Sequence, residues 1–184
     1  MNKTPTLNKL IRFTIILSRI GKYLMLLAAA GFVILSVIAL VRYDYTKEYI
    51  FTRYESGTLD LAIGGVHIVS REGAFRAGAF FVWMLAVACI PLLSAMICKN
   101  VGEIFNAEQP FCRTNIDKVR DIGIYVLAFP ALQVVLPVVM GLFYGETISV
   151  QLDPSTIFFG LVILALAQFF QYGASLEDDV DGLL

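Results

Sequence analysis

YLMLLAAAGFVILSVIALV, Tyr23 to Val41, is a run of nineteen residues without a single charge. As a helix rising about 1.5 Å per residue, it reaches across a hydrocarbon core of about 30 Å. Read as the core of a signal peptide, it has the right basic start, but its apolar region is too long and it lacks a convincing small-x-small cleavage site. It is therefore expected to remain as a span. Three further stretches match it: Ala77 to Cys98, Ile122 to Tyr144, and Ser155 to Leu176. Only 16% of the residues are charged and the mean hydropathy is +0.77, whereas soluble domains carry about a quarter charged residues. The expected fold is all-α integral membrane, a four-transmembrane-helix bundle with a small extracytoplasmic β-hairpin loop.

This reading makes 1–184 a single membrane domain. A basic N-terminal helix (1–22) precedes span one (23–41); a long loop (42–76) carries a hairpin near 59–70 and leads to span two (77–98). A polar elbow (99–121) precedes span three (122–144), a short loop (145–154) follows, and span four (155–176) ends in an acidic tail (177–184). Lys and Arg bias sets orientation. Nine cations lie before span one or in the elbow, and five lie in the 42–76 loop, where five acids balance them. Both termini and the elbow are thus expected in the cytoplasm.

Before span one, Lys9, Arg12, Arg19 and Lys22 fall within a sector of roughly 140° on a helical wheel, mostly opposite Leu7, Leu10, Phe13 and Leu17. That pattern reads either as a basic helix lying on an anionic leaflet or as a plain orientation signal. In the 42–76 loop, LDLAIGGVHIVS alternates around Gly64-Gly65, so a two-residue turn would pair Ile63 with Val66 and Leu61 with Ile68. Tyr43, Tyr45, Tyr49 and Tyr54 read as an interfacial aromatic belt.

No ionisable group falls in the middle of a span, which argues against a proton or ion pathway. Gln133 and Gln168 are the polar exceptions, and an amide in hydrocarbon seeks a partner, so an inter-helix polar contact between them is expected. Pro91, Pro130 and Pro137 interrupt helical hydrogen bonding, and Ala28 to Gly31 and Gly141 to Gly145 offer small surfaces for close helix approach. The lone His67 and three cysteines without C-x-x-C spacing give no metal or redox site. With no paired carboxylates and no nucleophile beside a base, no catalytic residue and no cofactor site are expected; the chain reads as non-enzymatic. It has no nucleotide-binding signature.

The polar centre of the chain is FNAEQPFCRTNIDKVRDIG, Phe105 to Gly123. After Pro110-Phe111, Ile116, Val119, Ile122, Gly123 and Val126 recur at helical spacing, which predicts an amphipathic helix feeding directly into span three. On its polar side, Arg113 can pair with Asp117. At the far end, Glu177, Asp178, Asp179 and Asp181 crowd a helix C-terminus, where acids oppose the helix dipole and call for cations.

The elbow QPF-x-x-x-N-x-x-x-x-R-x-x-G (Gln109 to Gly123), with the closing helix AQFFQYGASLEDDVD (Ala167 to Asp181), resembles the bacterial four-span membrane proteins grouped as domain of unknown function 2975. The matching positions are Pro110, Phe111, Asn115, Arg120, Gly123, Phe170, Gly173, Leu176, Glu177, Asp178 and Asp179. Cys112 stands where that family usually has Thr, and Glu108-Gln109 replaces its usual Gly turn. The resemblance implies a multi-pass protein of the bacterial cytoplasmic (inner) membrane. Some members are encoded beside small helix-turn-helix repressors, which implies a regulatory interaction with a DNA-binding partner and no direct contact with nucleic acid.

The expected function is accordingly an interaction protein whose cytoplasmic surface is formed by Phe111, Asn115, Arg120, Glu177, Asp178 and Asp179. A second reading is a small transporter or channel subunit that forms a pore as a homo-oligomer through Gln133 and Gln168. A third is an immunity or accessory protein that binds its partner through the external loop.

Overall fold

A computed structural model describes residues 5–59, 61–63, 65–70, 73–107, 112–145 and 147–181, with side chains between Lys9 and Leu176. In chain order the elements are α1 (Pro5–Val41), α2 (Tyr43–Glu55), β1 (Ala62–Ile63), β2 (Val66–His67), α3 (Ala77–Asn106), α4 (Arg113–Tyr144) and α5 (Pro154–Asp181). Four of the helices, α1, α3, α4 and α5, are long and apolar enough to cross a bilayer. Their large side chains are widely exposed, Leu142 at 77% and Phe143 at 81% among them. Apolar surface on that scale is stable only against lipid, and the chain is an all-α membrane protein with a small hairpin.

Two corrections to the sequence reading concern helices. The basic N-terminal stretch is not a separate element: α1 is one uninterrupted helix of 37 residues, because neither Pro nor a Gly pair breaks it between Lys9 and Val41. The 42–76 loop also contains the thirteen-residue helix α2. Ile50 is buried, with Phe51 and Tyr54 packed beside it, so the helical face was present in the sequence beneath the tyrosines.

The chain divides into two compact units. One comprises residues 27–91 and 130–152, here the hairpin unit; the other comprises 1–26, 92–129 and 153–184, here the elbow unit. In α3 the division falls just after Pro91, and in α4 just before Pro130.

The hairpin unit has its own core. β1 and β2 pair antiparallel with Ile63 opposite Val66 and Ala62 opposite His67, and the Ile68 N–H donates to the Leu61 carbonyl at 2.9 Å, as the alternation around Gly64-Gly65 requires. A second turn, closed by Ser70 N–H to Ala74 O at 2.8 Å, sets Val69 against Phe75 and returns the chain to α3. Val66 (0% exposed) and Ile68 (1%) lie at the centre with Ile50, Phe80 and Met140. Gly65 has φ of +92°, and a Cβ there would lie 2.8 Å from the Thr147 carbonyl oxygen, so the segment after α4 packs tightly on the turn. Tyr144 closes this unit at the start of α3. Its hydroxyl accepts the Ala79 N–H at 3.1 Å, satisfying one free donor of the first turn, and the Arg76 guanidinium lies over its ring at 5.0 Å.

In the elbow unit, α4 and α5 mesh reciprocally. A Cβ on Gly123 would meet Leu164 Cγ at 2.8 Å, and a Cβ on Gly160 would meet Leu127 Cγ at 2.7 Å. Each glycine lies four residues before the leucine of its own helix that fills the opposite gap. In the small-residue stretches Ala28 to Gly31 and Gly141 to Gly145, a Cβ on Gly31 or Gly145 would meet nothing within 4 Å, whereas Ala29 and Gly141 are buried.

Asp153 opens α5. Its carboxylate accepts the Thr156 hydroxyl and, at 3.0 Å, the Ser155 N–H. The hydroxyl bond first, then the backbone bond, hold its carboxyl below the usual 3.8. Because the folded value is depressed, the cap stabilises α5 fully above the unfolded value and is lost as pH falls through the folded one. The Ser155 amide resonance is expected to titrate with a midpoint below 3.8, and Asp153→Asn to abolish that titration; a midpoint at or above 3.8 would contradict the cap.

Candidate functional site

The polar end of the elbow unit is built from the first two turns of α4 and the last turns of α5. On α4, Arg113, Asp117 and Arg120 recur at four- and three-residue steps; on α5, Gln168, Gln171 and Ser175 recur at three- and four-residue steps. Each set therefore lies along one stripe of its helix. The stripes face each other across two adjoining hollows. One, of about 290 Å³, is lined by Arg113, Ile116, Asp117, Gln171, Ala174 and Ser175. The other, of about 100 Å³, adds Arg120, Leu164 and Gln168.

Arg120 pairs with Asp117 at 3.3 Å, one turn back along α4, and both side chains are more than half exposed. Such a pair contributes little to stability, about 0–1 kcal/mol; its value is as a hydrogen-bonding surface. The sequence suggested Asp117 as a partner for Arg113, and in the fold Arg120 holds it. Glu103 of α3 takes Lys118 of α4 at 3.1 Å and Lys99 at 4.0 Å, tying the two sides of the elbow together. The Ser175 hydroxyl donates to the Tyr172 carbonyl at 2.8 Å. The groove therefore offers a guanidinium, an Asp–Arg pair, two amides and a hydroxyl, a set suited to polar recognition.

The expected site residues are placed unevenly. Arg120 and Gln168 line the same hollow. Asn115 does not belong to the surface: it is 2% exposed and sits on the inner side of α4. An amide one turn into an amphipathic helix is counted as polar by sequence, yet here it faces the same side as Ile116, which is also buried. Phe111 lies outside the described residues, as do the side chains of Glu177, Asp178 and Asp179, although α5 continues through Asp181. Gln133 is exposed and belongs to the hairpin unit, whereas Gln168 belongs to the elbow unit, so their expected contact is not part of either unit's packing. Glu103 and Ser175 were missed. Ser175 could have been found from the spacing Gln168, Gln171, Ser175; Glu103, an acid at the end of a span, carries no such pattern.

No protein-family model, curated protein or solved structure matches the chain. The geometry of the groove therefore stands alone.

Proposed function

We propose that this chain is a non-enzymatic interaction protein of a bacterial cytoplasmic membrane, with both termini in the cytoplasm, whose α4–α5 groove and adjoining acidic tail engage a soluble protein. The supporting observation is the convergence of Arg113, Asp117 and Arg120 with Gln168, Gln171 and Ser175, at the root of a helix that goes on to Glu177, Asp178, Asp179 and Asp181. Acids at a helix C-terminus stand against the dipole and favour a cationic counterpart. A small basic DNA-binding regulator has that chemistry, in line with the resemblance to the family of domain of unknown function 2975.

The test is cross-linked capture from native membranes by the unaltered chain, by a tail variant (Glu177→Lys, Asp178→Lys, Asp179→Lys) and by Arg120→Glu. Recovery of one soluble partner is expected to fall at least about tenfold in both variants, the effect of about 1.4 kcal/mol of lost contact. Undiminished recovery by both would refute the reading.

A second reading rests on the hairpin unit. Tyr45 and Tyr49 stack with centroids 6.4 Å apart, and the Arg53 guanidinium lies over Tyr49 at 5.5 Å. The exposed aromatic ridge of α2 is the kind of surface that anchors a protein partner, and it favours an accessory or immunity role through this unit.

A further inference from the structure

The groove leaves a second polar feature of the elbow unit unexplained. Where α1 and α3 approach, their contact is made by small residues: a Cβ on Gly21 would lie 3.1 Å from Cys98 Sγ, and one on Gly102 would lie 3.3 Å from Ser18 Cβ. Beside this close approach opens a hollow of about 140 Å³ whose walls carry Ser18, Arg19 and Lys22 from α1, and Lys99, Gly102 and Glu103 from α3. Three cations thus converge on one carboxylate. That carboxylate is already engaged, by Lys118 at 3.1 Å and more loosely by Lys99 at 4.0 Å. Among the described residues no carboxylate pairs with Arg19 or Lys22; Lys22 rests instead over the Tyr23 ring at 5.1 Å. The hollow holds an excess of positive charge that its own walls do not neutralise.

The surroundings narrow what can supply the missing negative charge. Ile16, Ile20 and Tyr23 are exposed and lie within about 100° of Arg19 around α1. The cations therefore stand directly beside exposed apolar surface on a helix long and apolar enough to cross a bilayer. We infer that Arg19, Lys22 and Lys99, with the Ser18 hydroxyl, form a binding site for the phosphate of an anionic phospholipid. The guanidinium gives a planar fork of donors and the two ammonium groups give point charges, which together suit a phosphate diester. The acyl chains run along Ile16, Ile20 and the apolar α1 surface beyond them. A free phosphate shares the headgroup's chemistry but gains nothing from that stripe.

Native mass spectrometry of the full chain, released from nanodiscs of phosphatidylcholine containing phosphatidylglycerol, tests this directly. The unaltered chain should retain phosphatidylglycerol. A pocket variant, Arg19→Gln with Lys99→Gln, should lose about 30-fold in apparent affinity, the effect of two cations at about fivefold each. A charge-matched control, Lys9→Gln with Arg12→Gln, should bind as the unaltered chain does. The charge-preserving variant Arg19→Lys with Lys99→Arg should retain most binding, which separates loss of the site from loss of the fold. Equal loss in the pocket and control variants would mean diffuse surface attraction and overturn the site, as would binding unaffected by the pocket substitutions. Millimolar inorganic phosphate added as competitor should leave the lipid in place; if it displaces the lipid, the ligand is phosphate alone and the lipid assignment fails.

Discussion

Gly123→Leu is expected to destabilise the protein by about 3 kcal/mol, the upper range for forcing extra carbons into a filled interface. A Cβ at this position already meets Leu164 Cγ and Cδ2 at 2.8 Å and the Leu164 backbone nitrogen at 3.2 Å. The leucine side chain can turn aside, but the backbone cannot, so α5 must move away from α4. Helix association in a bilayer depends on van der Waals contact rather than on water exclusion, and separation of the two helices forfeits many contacts at once. Combination with Leu164→Ala should recover part of the loss, because it empties the gap the new side chain needs. Gly31→Leu is the control: nothing lies within 4 Å of its Cβ position, and its effect should stay within about 0.5 kcal/mol. Thermal unfolding of the detergent-solubilised variants, followed by loss of the monodisperse species, measures all three. Equal stability of Gly123→Leu and Gly31→Leu would show that α4 and α5 do not mesh through Gly123.

Gly65→Val should weaken the hairpin unit by a similar amount, about 3 kcal/mol, for two separable reasons. A φ of +92° is strained for any residue with a side chain and costs about 1–2 kcal/mol. The remainder comes from the Thr147 carbonyl oxygen 2.8 Å from the new Cβ. Gly57→Ala isolates the first term, since Gly57 has φ of +67° but no neighbour within 4 Å; it should cost only the backbone strain. Trp83, the single tryptophan of the chain, packs against the hairpin core and reports on it. Its emission should shift to the red, and the thermal transition should fall, far more for Gly65→Val than for Gly57→Ala. Equal effects would mean that the approach of Thr147 carries no energetic weight.

These positions also mark where the sequence was readable. The spans follow from length and hydropathy alone, because a bilayer imposes a minimum apolar length that few other structures need. Hairpin register followed from alternation, since a slip by one residue would put Val66 and Ile68 on the wrong face. α2 was hidden because its buried side is narrow: Ile50, Phe51 and Tyr54 supply it, while Tyr45 and Tyr49 stay exposed, and tyrosine serves both interface and core. The meshing of Gly123 with Leu164 could not be read, because in an apolar helix one glycine gives no hint of what faces it. The groove was half legible. Arg120 stood out as a cation of the elbow and Gln168 as an amide within span four, but pairing residues so far apart in the chain needs the fold. Asn115 misled for the same reason: its polarity was visible, and its inward direction was not.

The contact of Gly65 with Thr147 also sets an order of events during synthesis. Thr147 follows Gly65 by roughly 80 residues, which at about 5–20 residues per second takes roughly 4–16 s to translate. Until then Val66, Ile68 and Val69 have been made, but Met140 and Tyr144, which complete their enclosure, have not. The nascent hairpin must wait, with the part of its apolar face that Met140 and Tyr144 cover still open, for the third span to be inserted. Insertion of that span is thus the step that seals the unit, and a chain stalled before it would present that open apolar surface to whatever chaperone or protease patrols that face of the membrane.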